Sequence, residues 1–186
     1  MSSDEEYGCN EQPEREECED NHEDSTTNDD GSNNWQQEAL EAHNEFRARH
    51  GVPPMVLDED ISRKAQAYAD YLAANNLFHH SGDRGGLGEN LYTKSSSQPL
   101  KNESLCKLAT ESWYDEIKEY DFDNPGSTSG TGHFTQVIWK ESTNLGVGVG
   151  FGNNGKRVVV VCQYDPAGNV MKQFEENVPP PELPFF

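Results

Sequence analysis

The chain is short of positive charge, of cysteine and of long apolar runs, and each shortage removes a class of function. Lys and Arg number 14 against 34 Asp and Glu, a formal net charge of -20. A net charge of that sign argues against nucleic acid, whose phosphates demand a basic surface, and against simple electrostatic adhesion to anionic lipid. No apolar run approaches the length of a bilayer span, so no transmembrane segment is expected. The opening Met-Ser-Ser-Asp-Glu-Glu-Tyr has neither a basic n-region nor an apolar h-region, so no secretory signal is expected either. Ser2 stands where N-myristoylation needs a glycine. The four cysteines, Cys9, Cys18, Cys106 and Cys162, are too few for a dense disulfide framework. Together with the missing signal they point to a reducing compartment and to free thiols at Cys106 and Cys162. Two common hydrolase signatures are also absent, the His-Glu-x-x-His helix and the Gly-x-Ser-x-Gly elbow.

What is present is unevenly distributed. Residues 1–34 hold 13 Asp and Glu against one Arg, a net of -12, which leaves -8 for the rest. That segment has almost no large apolar side chains to offset backbone entropy, and reads as a disordered acidic tail. Cys9 and Cys18 within it read as unpaired thiols, a metal pair or a palmitoylation site. The 186 residues suffice for one well-buried domain behind the tail. Asn33 or Asn34 can cap a first helix, on which Trp35, Ala39, Ala42 and Phe46 form an apolar stripe. Asp58 or Asp60 opens a second helix carrying Ile61, Ala65, Tyr68 and Leu72. A third runs from about Leu105 to Tyr120, with Ala109, Trp113 and Ile117 along one face.

The period then changes. Phe134 to Trp139 is β-branched and aromatic and predicts a strand. Leu145 to Phe151 alternates with glycine, so one face is apolar and the other bare backbone that a second element can approach closely. Asn153-Asn154-Gly155 predicts a hairpin turn, and Arg157 to Tyr164 a strand covered on both faces. Helices followed by hairpin strands give an α+β fold. Residues 179–186 form a Pro-rich C-terminal tail, read as an end packed along the domain or as a polyproline ligand.

Two stretches carry a family resemblance: Gly132-His-Phe-Thr-Gln-Val-Ile-Trp and Val159-Val-Val-Cys-Gln-Tyr-Asp-Pro-Ala-Gly-Asn-Val. With Gly88-Glu-Asn-Leu and Trp113-Tyr-Asp-Glu-Ile, they resemble the signatures of the CAP superfamily, which holds cysteine-rich secretory, antigen 5 and pathogenesis-related group-one proteins. The ending Glu175-Glu-Asn-Val-Pro-Pro and the few cysteines are most similar to its Golgi-associated pathogenesis-related branch. The resemblance implies a CAP (SCP) domain over 35–178, built as a three-layer α-β-α sandwich with a central antiparallel sheet.

It also implies a cleft holding His80 and His133 as metal ligands, with Glu89 and Glu116 as acidic partners. His79 is a rival for His80, which is preferred because it directly precedes Ser81. Neutral imidazoles bind zinc, and two of them leave positions open; the carboxylates would orient the rings or a bound water. Without metal, the same four residues would form a hydrogen-bonded network tying helices to sheet. His22, His43 and His50 have no matching partners and read as surface or cap residues. The implied function is a non-catalytic binding module with a weak divalent metal such as zinc and a lipid (sterol included) or protein surface. Two alternatives stay open. One is a metal-dependent hydrolase with Glu89 or Glu116 as general base and Ser81 and Thr135 nearby. The other is a homodimeric scaffold at Golgi or other membranes. The expected location is cytoplasmic or peripheral to the Golgi, with unconventional secretion left open.

Overall fold

The computed structural model describes residues 34–101 and 103–182. Residues 1–33 of the expected disordered tail (1–34), with Cys9, Cys18 and His22, and the last four residues of the C-terminal tail lie outside the described residues. Helix α1 (Trp35–Arg49) is capped by Asn34, whose side-chain oxygen accepts from the Gln37 N–H. A two-residue strand β1 (Val56–Leu57) leads to α2 (Glu59–Ala74), capped in the same way by Asp58. Strand β2 (Gly88–Ser95), helix α3 (Leu105–Tyr114) and a 3₁₀ turn over Asp115–Glu119 follow. Helix α4 (Gly132–Ile138), strands β3 (Asn144–Gly152) and β4 (Arg157–Asp165) and the short α5 (Phe174–Asn177) complete the chain.

The sheet order is β1-β3-β4-β2. The pairs β2–β4 and β3–β4 are antiparallel, as expected. The edge strand β1 pairs with β3 in parallel, so the sheet is mixed at one margin. The three layers follow from how β4 alternates. Val158, Val160, Cys162 and Tyr164 join a core with α1, α3 and α4, while Val159 and Val161 join Ala65, Ala69 and Leu72 of α2 on the other face. Cys106 and Cys162 are free, buried thiols, and burial raises both above the ordinary thiol range.

Helix α2 lies directly on the glycine face of β3. A Cβ on Gly148 would stand 2.3 Å from the Gln66 backbone nitrogen, and one on Gly150 2.3 Å from the Ala69 carbonyl oxygen. Beyond Leu145, β3 has no β1 partner. Polar side chains of α2 take its place: Ser62 Oγ accepts from Val147 N–H, and the Gln66 amide accepts from Val149 N–H and donates to Val149 O.

Three local expectations are corrected. Phe134 to Trp139 is helical through Ile138, because the tertiary surroundings supply the caps that its β propensity lacks. At the N-terminus Glu116 Oε2 accepts from the His133 and Phe134 N–H groups. At the C-terminus the buried guanidinium of Arg47 donates to Val137 O and Trp139 O. The third helix is α-helical only to Tyr114 and then tightens into 3₁₀, which places Glu116 on a turn rather than along a helix face.

Third, His43 is a core residue, 0 % exposed; His50 is the C-cap of α1, one of the two readings given it, but is buried rather than at the surface, 3 % exposed. His43 Nδ1 donates to Ala39 O, and its Nε2 accepts from the Tyr164 hydroxyl. His50 bridges Pro179 O and the Tyr114 hydroxyl, and Glu182 N–H donates to Arg49 O, so the C-terminal segment to Glu182 packs along α1.

Burial pushes the His43 imidazole down to about 4, with the nearby Arg47 charge adding to that and the bond to Ala39 O opposing it. Its folded-state pKa is thus below the unfolded value, so the unfolded chain takes up the proton first as pH falls. Stability is full above about pH 6.5 and drains towards pH 4, with His43 alone contributing about 3 kcal/mol across that window. Burial lowers His50 in the same direction. Urea midpoints should fall steadily from pH 7 to pH 5, and a His43→Gln chain should show a shallower slope. A flat profile for the unaltered chain would rule the account out.

Candidate functional site

The four residues carried by the family motifs come from four separate segments: His80 from the loop after α2, Glu89 from β2, Glu116 from the 3₁₀ turn and His133 from the first turn of α4. The fold gathers all four on the lining of one open cleft of about 460 Å³. The histidine of the expected junction is therefore at the start of a helix, not of a strand. His79, the rival, is not on that lining; its ring Nδ1 lies 3.0 Å from His80 O and 3.2 Å from the Tyr68 hydroxyl.

Each histidine is paired with one glutamate. His80 Nδ1 is 2.8 Å from Glu89 Oε1, and His133 Nδ1 is 2.6 Å from Glu116 Oε1. A carboxylate can only accept, so Nδ1 carries the proton in both rings. The neutral rings therefore hold a lone pair on Nε2, and neither Nε2 has a hydrogen-bond partner among the described residues. This tautomer is the one that a metal-binding imidazole backed by a carboxylate adopts.

The carboxylates are held from several sides. Glu89, whose side chain is fully buried, also accepts from Ser81 N–H at 3.0 Å and from Gln163 Nε2 at 3.0 Å. Glu116 adds the two backbone N–H groups that begin α4, at 2.9 and 3.0 Å. His133 is further fixed by the Trp113 ring, nearly parallel to it with centroids 6.4 Å apart. Its carbonyl accepts from Asn90 Nδ2, which also donates to the Tyr164 hydroxyl and so ties the cleft to buried His43.

The opposite wall is backbone and amide. Gln136 Oε1 accepts from Gly168 N–H, and its Nε2 donates to Ser142 Oγ. Thr135 is wholly buried and donates its hydroxyl to Asn169 Oδ1 at 2.6 Å. Ser81 Oγ donates to Asp83 O. Neither hydroxyl is paired with a histidine. Sequence reasoning missed Asn90, Gln136 and Asn169, all inside the motifs quoted above; their amides hold the cleft walls. It also missed Arg84 on the lining, for which no sequence signal existed.

Nε2 of His80 and Nε2 of His133 are the atoms on this lining that could hold a divalent metal. No group of three or more His, Cys, Asp and Glu arranged for a metal exists among the described residues. Two imidazoles are therefore all that the cleft offers directly, since both carboxylates face the rings.

Residues 40–164 match the sequence profile of CAP, the cysteine-rich secretory protein family. The Golgi-associated plant pathogenesis-related protein 1 of Homo sapiens is 44% identical over 155 residues, covering 81% of this chain and 96% of the relative. Pathogenesis-related protein 1B of Nicotiana tabacum is 41% identical over 143 residues, covering 75% of this chain and 80% of the relative. Among solved structures, NaASP2 with Zn2+ is 30% identical with a TM-score of 0.62, covering 77% of this chain and 85% of that one. BmVAL-1 aligns with a TM-score of 0.66 over 76% of this chain and 81% of its own, at 23% identity, and shows the shared fold. No helix among the described residues is long and apolar enough to cross a membrane.

Proposed function

The chain belongs to the CAP, or cysteine-rich secretory protein, family, and from that premise we propose that it is a non-catalytic binding module whose cleft holds a divalent metal on His80 and His133. The observation that carries this reading is the pair of His–Glu contacts. Both fix the tautomer with Nε2 free, and both rings line one cleft. The zinc in the description of NaASP2 supports the choice of metal. Such a metal would offer open coordination positions to a donor atom of a partner. Beside the cleft wall at Asn169, Val170 and Met171 are 41 % and 69 % exposed, and this apolar patch supports contact with a lipid or protein. The name of the human relative supports association with the Golgi periphery.

A hydrolase would need one of the carboxylates as a general base. Glu89 and Glu116 each already accept three hydrogen bonds, which leaves about one of a carboxylate's four lone-pair sites for a water. Neither hydroxyl near the cleft is activated. The arrangement favours holding over turnover.

Zinc titration calorimetry tests this. Binding should be weaker than at sites with three or four protein ligands. The double variant His80→Ala, His133→Ala should lose most of the binding and keep its fold. Unchanged zinc affinity in that variant would return both histidines to a structural role. Zinc-dependent peptide hydrolysis that vanished in Glu89→Gln or Glu116→Gln would replace the binding module with an enzyme.

A further inference from the structure

A second hollow, of about 480 Å³, is lined by Lys64, Tyr68 and Tyr71 of α2, by Asp83 and Arg84 of the following loop, and by Gln163 of β4. Three features set it apart from ordinary surface. The first is charge. Several cations of this acidic chain pair with a carboxylate, among them Arg49 with Glu45, Lys118 with Asp115 and Lys94 with Glu103. Lys64 and Arg84 have no ion-pair or hydrogen-bond partner among the described residues.

The second feature is an orphaned acceptor. Gln163 is only 4 % exposed, and its Nε2 donates to Glu89 Oε2. That bond fixes the amide orientation, because the flipped form would set two oxygens against each other. Its Oε1 is then a buried acceptor with no protein donor. The third feature is an aromatic wall. The rings of Tyr68 and Tyr71 lie 6.1 Å apart and within 19° of parallel. Tyr68 is anchored by its bond to His79 O, whereas Tyr71 is 50 % exposed.

We propose that this hollow binds a small phosphate ester of a ring that bears hydroxyl or amino donors. The ring lies against the tyrosines and the phosphate meets Lys64 and Arg84. Asp83 accepts a ring donor and leaves the lining with one net positive charge, which suits a monoester better than a polyanion. Inorganic phosphate has no ring for the wall, and an apolar acid has no donor for Asp83. Nucleoside monophosphates and sugar phosphates both carry the required chemistry.

Calorimetry on the full chain with AMP, glucose 6-phosphate and inorganic phosphate tests this, with EDTA present so that no metal in the neighbouring cleft contributes. At least one ester should bind, with inorganic phosphate about tenfold weaker or undetectable. Lys64→Gln and Tyr71→Ala, both at exposed positions that leave the core untouched, should each weaken the ester by about tenfold. His133→Ala, in the other cleft, should leave it unchanged. Absence of binding by both esters at millimolar concentration would overturn the proposal. So would inorganic phosphate binding as tightly as the esters, or an unchanged affinity in Tyr71→Ala.

Discussion

Replacing Arg47 by methionine should cost the domain about 3–5 kcal/mol, among the largest losses available from one side chain. Arg47 is completely buried and has no carboxylate partner among the described residues. Its guanidinium instead donates to five carbonyls: Pro53 at 2.8 Å, Val137 at 3.2 Å, Trp139 at 2.8 Å, Lys140 at 3.4 Å and Ser142 at 3.0 Å. Burial lowers its pKa to about 10, so the charge persists at neutral pH. Methionine fills much of the volume but leaves buried carbonyls without donors, and each orphan costs roughly 1–3 kcal/mol. Lysine should fail to rescue, because a single ammonium cannot span a set of acceptors arranged around a planar fork.

The loss should also reach the site. Arg47 closes the C-terminal end of α4, and His133 stands in the first turn of that helix. A surviving Arg47→Lys chain should therefore bind zinc more weakly than the unaltered protein. Urea unfolding and zinc titration of both variants check this. A loss below about 1 kcal/mol for Arg47→Met, or full rescue by lysine, would show that the carbonyls find other donors.

Gly148→Ala should be nearly as damaging, at about 3 kcal/mol, the upper end of the usual cost of overpacking, although it adds a single methyl group. The new Cβ would meet the backbone of α2 within 2.3–2.4 Å, at Gln66 N, Ala65 C and Gln66 Cα. Backbone cannot swing aside as a long side chain can. Moving α2 away from β3 would break the Gln66 bonds to both polar groups of Val149. Gly82→Ala is the matched control, since a Cβ there meets nothing within 4 Å. The contrast should appear as a large drop in the urea midpoint for Gly148→Ala and almost none for Gly82→Ala. Equal midpoints would mean that the helix is not held as close to the sheet as described.

Composition and pattern alone determined a good deal of this protein. The glycine alternation from Leu145 to Phe151 announced a close contact with a second element, since such a strand has one face with nothing but backbone to offer. The Asn153-Asn154-Gly155 turn was equally legible: those residues tolerate the positive φ angles, 50°, 55° and 80°, that the turn adopts. The family resemblance, not composition, named His80, Glu89, Glu116 and His133, and the fold brought all four to one cleft. Only the tertiary structure decided the rest. The run from Phe134 to Trp139 has strand-forming residues, yet a carboxylate from a distant turn and a guanidinium from α1 satisfy its terminal backbone groups as a helix. His43 and Arg47 look like surface residues on a polar helix, because local sequence cannot show which partners will face them. Their partners, Tyr164 and the carbonyls after α4, lie about a hundred residues away along the chain. A polar side chain is stable in a core only when distant groups complete its hydrogen bonds, and bringing those groups together is what the fold adds to the sequence.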